Sequence, residues 1–192
     1  MSAIVVILLI AFIVVLVVGG GLALWGIGVY NGLVRGREAV NNAWAQIDVL
    51  LKRRHDLIPN LVETVKGYAS HESETFEKVI QARNGAVAAT GPQQSSAAEG
   101  MLTGALRQLF AVAEAYPDLK ANQNFMQLQA ELSTTEDEIA GVRSRYNDVA
   151  KGYNISVKEF PRNLLAGIFG FNEEPYFEVE DAEVQAAPKV QF

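Results

Sequence analysis

Two histidines are available for proton transfer or metal ligation in this 192-residue chain, and neither has the company that chemistry needs. His71-Glu72-Ser73-Glu74 begins like a zinc-protease helix, but no second His follows four residues later, so the site lacks a ligand and reads as a solvated helix face. His55 sits in Lys52-Arg53-Arg54-His55-Asp56, whose side chains point in several directions around a turn and a half of helix. Lys52, Arg53 and Asp56 read as ion pairs on a bundle surface. As a binding site the cluster would suit anionic lipid headgroups or an acidic partner. Gly19-Gly20-Gly21 is not followed by a Lys-Ser pair and lies in an apolar run, so no phosphate loop is implied. No Ser occupies a nucleophile elbow. Glu136, Asp137 and Glu138 read as a solvating face, and Asn60, Asn84, Asn124, Asn147 and Asn154 as helix-bridging core amides. The residues therefore imply no enzyme, no cofactor and no metal.

The chain is organised instead around residues 1–34, which contain no Lys, Arg, Asp, Glu or His. From Ala3 to Val18 every residue is Ala, Ile, Val, Leu or Phe, and the uncharged stretch continues to Arg35. About 20 apolar residues span a bilayer as a helix, so this segment is expected to be a transmembrane anchor. A cleaved signal peptide fits less well, because the apolar region is too long and no Ala-x-Ala site follows. Lipoprotein attachment needs a Cys, and the chain has none. Arg35 and Arg37 follow the anchor at once, so the bulk of the chain is expected in the cytoplasm with the N-terminus out. Trp25 and Tyr30 suit the headgroup level.

The formal net charge of −6 argues against a nucleic-acid partner, which would require a clustered basic face. Removing the anchor leaves enough chain for one domain with its own core. Gly28, Gly32, Gly36, Ala39 and Ala43 follow one another at helical steps of four, four, three and four. Such a small-residue line lets another backbone approach, and the expectation is a continued membrane helix packing against copies of itself. The alternative is a glycine-rich loop between anchor and domain.

Beyond the anchor the pattern is all-α. Val40, Trp44, Ile47, Leu51 and Ile58 form an apolar stripe, and Pro59 is expected to kink or break the helix. A second helix is expected over 59–90, a loop at 91–96, and a shorter third helix ending at Pro117. From Phe125 through Leu132, Ile139 and Tyr146 to Tyr153, apolar positions alternate steps of three and four, a repeat that imposes knobs-into-holes packing. The fold class is an N-terminal transmembrane helix (1–34) continuing into an antiparallel bundle of about four long helices (35–171). Leu164, Leu165, Ile168, Phe169 and Phe171 make a short apolar element expected to cap the open end of that bundle, with lipid or partner binding as alternatives. An acidic tail over 172–192 is expected to be disordered.

The run Tyr30-Asn31-Gly32-Leu33-Val34, then residues 43–62 through Lys52-Arg53-Arg54-His55-Asp56-Leu57-Ile58-Pro59-Asn60, resembles the signature of LemA family membrane proteins. Asn124-Phe125-Met126-Gln127-Leu128, Arg145-Tyr146-Asn147-Asp148 and Phe160-Pro161 leading to Phe169-Gly170-Phe171 match in the same order. Family members commonly carry a larger residue at the positions of Gly32 and Gly36, so the glycine line rests on this chain's own spacing. The resemblance implies a single-pass bacterial membrane protein with a long-helix bundle, and it supplies no catalytic residue. Relatives are associated with magnetosome membranes, and some occur beside HtpX-type membrane proteases. The expected function is a non-enzymatic, homo-oligomeric membrane scaffold; the alternative is an adaptor or regulator of such a protease.

Overall fold

The computed structural model describes residues 3–178, and among them six α-helices hold all the regular secondary structure: α1 Ala3–Lys66, α2 Ser73–Ala88, α3 Gly91–Glu114, α4 Pro117–Lys120, α5 Gln123–Lys158 and α6 Arg162–Phe169. The class is all-α and the packing is that of a helical bundle. Its helices divide between two compact units, residues 3–41 with 149–174 and residues 42–148 with 175–178.

In the second unit, the C-terminal part of α1 and α5 run antiparallel. Trp44 meets Tyr146 edge-on at 5.7 Å, Arg53 reaches Glu138 at 3.5 Å, and Asn122 donates to the Tyr68 hydroxyl at 2.9 Å. One number rises as the other falls. Ile58, Leu61 and Val65 of α1, Phe76 and Val79 of α2, Leu102, Leu106 and Leu109 of α3, and Phe125 and Leu132 of α5 share one core. Of the three-four repeat of α5, Phe125, Leu132, Thr135, Ile139, Tyr146 and Tyr153 are buried, and Leu128, Val142 and Val149 are half-buried.

Helix α1 does not break at Pro59, which rules out the break that the sequence expectation offered beside a kink. Proline removes one N–H from the helical ladder and leaves the carbonyl four residues earlier without its donor. That carbonyl belongs to His55, and Arg83 Nε donates to it at 2.8 Å. With the orphaned acceptor satisfied, the helix runs on to Lys66 and ends in the turns around Gly67–Glu72, inside the span expected to be one helix over 59–90. The loop expected over 91–96 is likewise the first turns of α3. Gly91 has a φ of 72°, a left-handed conformation glycine enters without a Cβ penalty, and Pro92 stands in the first turn, where its missing N–H costs nothing. Gln94 Oε1 accepts from the Thr90 N–H at 3.2 Å and so ties down the helix start.

In the first unit, the N-terminal part of α1 carries the end of α5 and α6. Val29 and Leu33 pack with Ala166 and Phe171, and Val34, Val157 and Leu165 border them. Helix α6 closes on Gly170, whose φ of 70° sets a left-handed C-cap. The tail expected to be disordered starts as an irregular segment held in place, because Phe177 is buried beside Trp44, 5.8 Å between rings. The remainder of that tail, 179–192, lies outside the described residues.

Candidate functional site

Lys52, Arg53 and Asp56 are exposed, as bundle-surface residues would be, whereas Arg54 and His55 between them are buried, and so is Glu99 of α3. Arg54 Nη1 reaches Glu99 Oε2 at 2.7 Å, its Nη2 donates to Thr103 Oγ1 at 2.9 Å and pairs with Glu136 Oε2 at 2.8 Å. His55 Nε2 lies 2.5 Å from the other oxygen of Glu99. One carboxylate thus bridges two basic side chains that are neighbours in sequence. A cavity of about 170 Å³ beside Arg54 and Glu99 is bordered by Leu51, Ile139, Ala140 and Phe177. The polar groups facing one another here are consumed in mutual bonds, which suits a structural tie between α1, α3 and α5. A pattern did mark these positions: Arg54 falls in the stripe Ile47, Leu51, Arg54, Ile58, Leu61, and Glu99 in the stripe Ser95, Glu99, Leu102, Leu106, Leu109. A charge on an apolar stripe is buried with its counter-charge or not at all.

Two asparagines of α5 each grip both backbone groups of one residue in the segment after α6. Asn147 Oδ1 accepts from the Phe177 N–H at 2.9 Å, and its Nδ2 donates to the Phe177 carbonyl at 3.2 Å. In the first unit Asn154 treats Glu174 the same way, at 2.8 and 2.9 Å. These amides were expected to bridge helices; they hold the segment after α6 instead. Asn60, Asn84 and Asn124 are exposed.

The membrane-level residues divide by environment. The side chains of Ile4 through Val18 are exposed all round the helix, with none of this stretch buried by protein. Trp25 is exposed, and Arg35 is exposed. Tyr30 is edge-on to Phe169 at 4.9 Å and to Phe171 at 5.6 Å, and the Arg37 guanidinium lies over the Phe171 ring at 5.0 Å. The small-residue line is split. Gly28 and Gly32 have no neighbour where a Cβ would stand, and Ala39 is exposed, but Gly36 faces the chain's own Tyr153, 3.0 Å from that added Cβ to the ring, and Ala43 is buried. Gly36 and Ala43 thus pack within one chain, where a face for copies had been expected. Tyr153 itself is buried, its hydroxyl has no hydrogen-bond partner, and burial holds it above the usual phenol range, with Glu174 adding to the effect and Arg37 opposing it.

The expected cap divides likewise. Leu165 and Phe171 turn toward α1, and Leu164, Ile168 and Phe169 stay exposed. Their helix contacts α1 from Gly26, where Leu165 Cδ1 would stand 3.9 Å from a Cβ, to Tyr30. Between α1 and α6 lies an apolar groove of about 450 Å³, bordered by Leu22, Gly26, Ile27, Leu165 and Phe169. Among the described residues no group of three or more acidic, His or Cys side chains converges as a metal site would require.

Residues 43–192 match the model of the LemA family. The chain is 30% identical over 161 residues to Protein LemA of Metamycoplasma hominis, covering 82% of this chain and 72% of that one. It is 29% identical to Magnetosome protein MamQ 2 of Paramagnetospirillum magneticum and 26% identical to Magnetosome protein MamQ of Magnetospirillum gryphiswaldense, in each case over 80% of this chain and 66% of the relative. An apolar helix long enough to cross a membrane, followed by the long-helix unit that the match covers, agrees with these relatives in describing a membrane-associated protein, and the chain belongs to the LemA family.

Proposed function

We infer that this protein is a non-enzymatic scaffold, anchored in the bacterial inner membrane by α1 with its helical bulk in the cytoplasm, which assembles with copies of itself and organises membrane or partner proteins. The observation that carries this reading is the open backbone at Gly28 and Gly32 on a helix whose other side is already packed by α5 and α6. Glycines inside a helix cost about 1 kcal/mol each relative to Ala, and close approach of a second helix is the usual compensation. Parallel anchors in one bilayer favour a cyclic arrangement about the membrane normal.

Native mass and single-particle imaging of the full chain in mild detergent and in nanodiscs test the reading: a discrete assembly is expected, and a strict monomer in both would overturn it. Cysteine at Gly32 should give a disulfide-linked dimer under mild oxidation. Cysteine at exposed His71 should resist a membrane-impermeant reagent in intact cells, as cytoplasmic placement demands. A protease adaptor would draw on the exposed Ile168 and Phe169 of α6; a stoichiometric protease that co-purifies and is lost on charging either residue would favour it over the scaffold.

A further inference from the structure

Helix α6 leaves Leu164 and Ile168 exposed at 58% and 73%, and Phe160, just before it, at 76%. One helical turn apart, Leu164 and Ile168 form a line on α6 away from the Leu165 and Ala166 side that packs toward α1, and Phe160 stands exposed just before it. We propose that this line is immersed in the bilayer interface, so that α6 is an in-plane membrane helix and the chain touches the membrane at two places. The position of α6 argues for lipid as the occupant. It meets α1 between Gly26 and Tyr30, and at 1.5 Å per residue those contacts lie roughly 7–14 Å to the lipid side of Arg35. An amphipathic helix lying in the interface buries its apolar face about 5–10 Å into the headgroup–acyl boundary.

The length of the uncharged run fits the same placement. Residues 3–34 extend for about 48 Å as a helix, well beyond a hydrocarbon core of about 30 Å. The surplus turns, at Val29 and Leu33, are covered by Ala166 and Phe171, and the run over 4–18 is bare. Acyl chains would also fill the apolar groove between α1 and α6, which continues the lipid-facing surface of α1 through Leu22 and Ile27. Arg162, exposed at the start of α6, is long enough to reach phosphates from that depth.

The inference rests on α1 as the membrane span and not on self-assembly. The chain has no native Cys, so single nitroxide labels can be placed at Ile168, Leu164, Asn163 and Val14 of the full-length protein, at one chain per nanodisc of phosphatidylcholine with phosphatidylglycerol. Labels at Ile168 and Leu164 should favour oxygen over a nickel chelate several-fold more than the label at Asn163, at a depth of about 5–10 Å. The Val14 label reports separately whether α1 spans. A lipid-immersed Val14 together with nickel-accessible labels at both α6 positions would overturn the inference and leave the anchor intact. Labels at Leu164 and Ile168 shielded from both reagents would mean protein cover and would overturn it as well.

Discussion

Arg83 donates to the carbonyl of His55, the backbone acceptor that Pro59 deprives of its helical N–H. A side chain of α2 thereby completes the hydrogen bonding of α1, and the helix passes a proline without ending. The two residues should be coupled. Arg83→Met is expected to cost about 1–3 kcal/mol in the native sequence, the cost of a buried acceptor left unsatisfied. In a Pro59→Ala background, where the substituted residue supplies its own N–H, the same change should cost much less. Denaturant melts of the four variants, followed by helical circular dichroism, give the coupling directly; equal losses in both backgrounds would show that Arg83 acts on something else.

Glu99 holds Arg54 and His55 together below the surface. Removing Glu99 leaves the buried Arg54 with only the half-exposed Glu136 as counter-charge, so Glu99→Ala should destabilise the unit by up to about 3–5 kcal/mol. Replacing Arg54 and Glu99 together by Met and Leu should cost less than the sum of the single changes. Additive losses in a double-mutant cycle would count against the bridge.

Tyr153 has an unpartnered hydroxyl in a closed site, above the ordinary phenol range because of burial first and Glu174 second. A group whose folded pKa exceeds its unfolded value binds more protons folded than unfolded as pH rises past about 10, so stability falls there with increasing pH. The contribution is complete below the unfolded pKa and disappears through the folded one. Tyr153→Phe should therefore be neutral or stabilising by roughly 1 kcal/mol at pH 7 and should flatten the alkaline loss. Thermal melts of the two proteins from pH 8 to strongly alkaline solution check this, and parallel curves would refute it.

Phe177 is fixed by Asn147 and buried near Trp44. Phe177→Ala should cost about 3–5 kcal/mol and expose the segment to protease. Asn147→Ala, which leaves the ring in place, should release the same segment at a smaller cost in stability. Cleavage rates at low protease concentration separate the two: unchanged proteolysis of both variants would show that the segment is held by other contacts.

What could be read in the sequence depended on how local its cause is. Helix α5 was legible because Phe125, Leu132, Ile139 and Tyr146 repeat at a fixed step, and periodicity within one segment needs no outside partner. Continuation past Pro59 was not, because its cause is Arg83, 24 residues further along the chain. Gly91-Pro92 carried the breaker residues of a loop, yet the same pair starts a helix when glycine turns left-handed and proline sits in the first turn. At the candidate site, the exposed apolar residues of α6 were visible as composition. Their depth beside Gly26 and Tyr30 came only with the packing of α6 on α1. Burial of Arg54 was foreshadowed by the stripe it interrupts.

The shared carboxylate of Glu99 also limits how relatives of this chain can drift. A lone substitution at position 54 or 99 leaves a buried charge short of its counter-charge, and a descendant that exchanges the pair for apolar side chains in concert keeps the interior intact. Positions 54 and 99 should therefore be inherited as a pair, changing together across lineages.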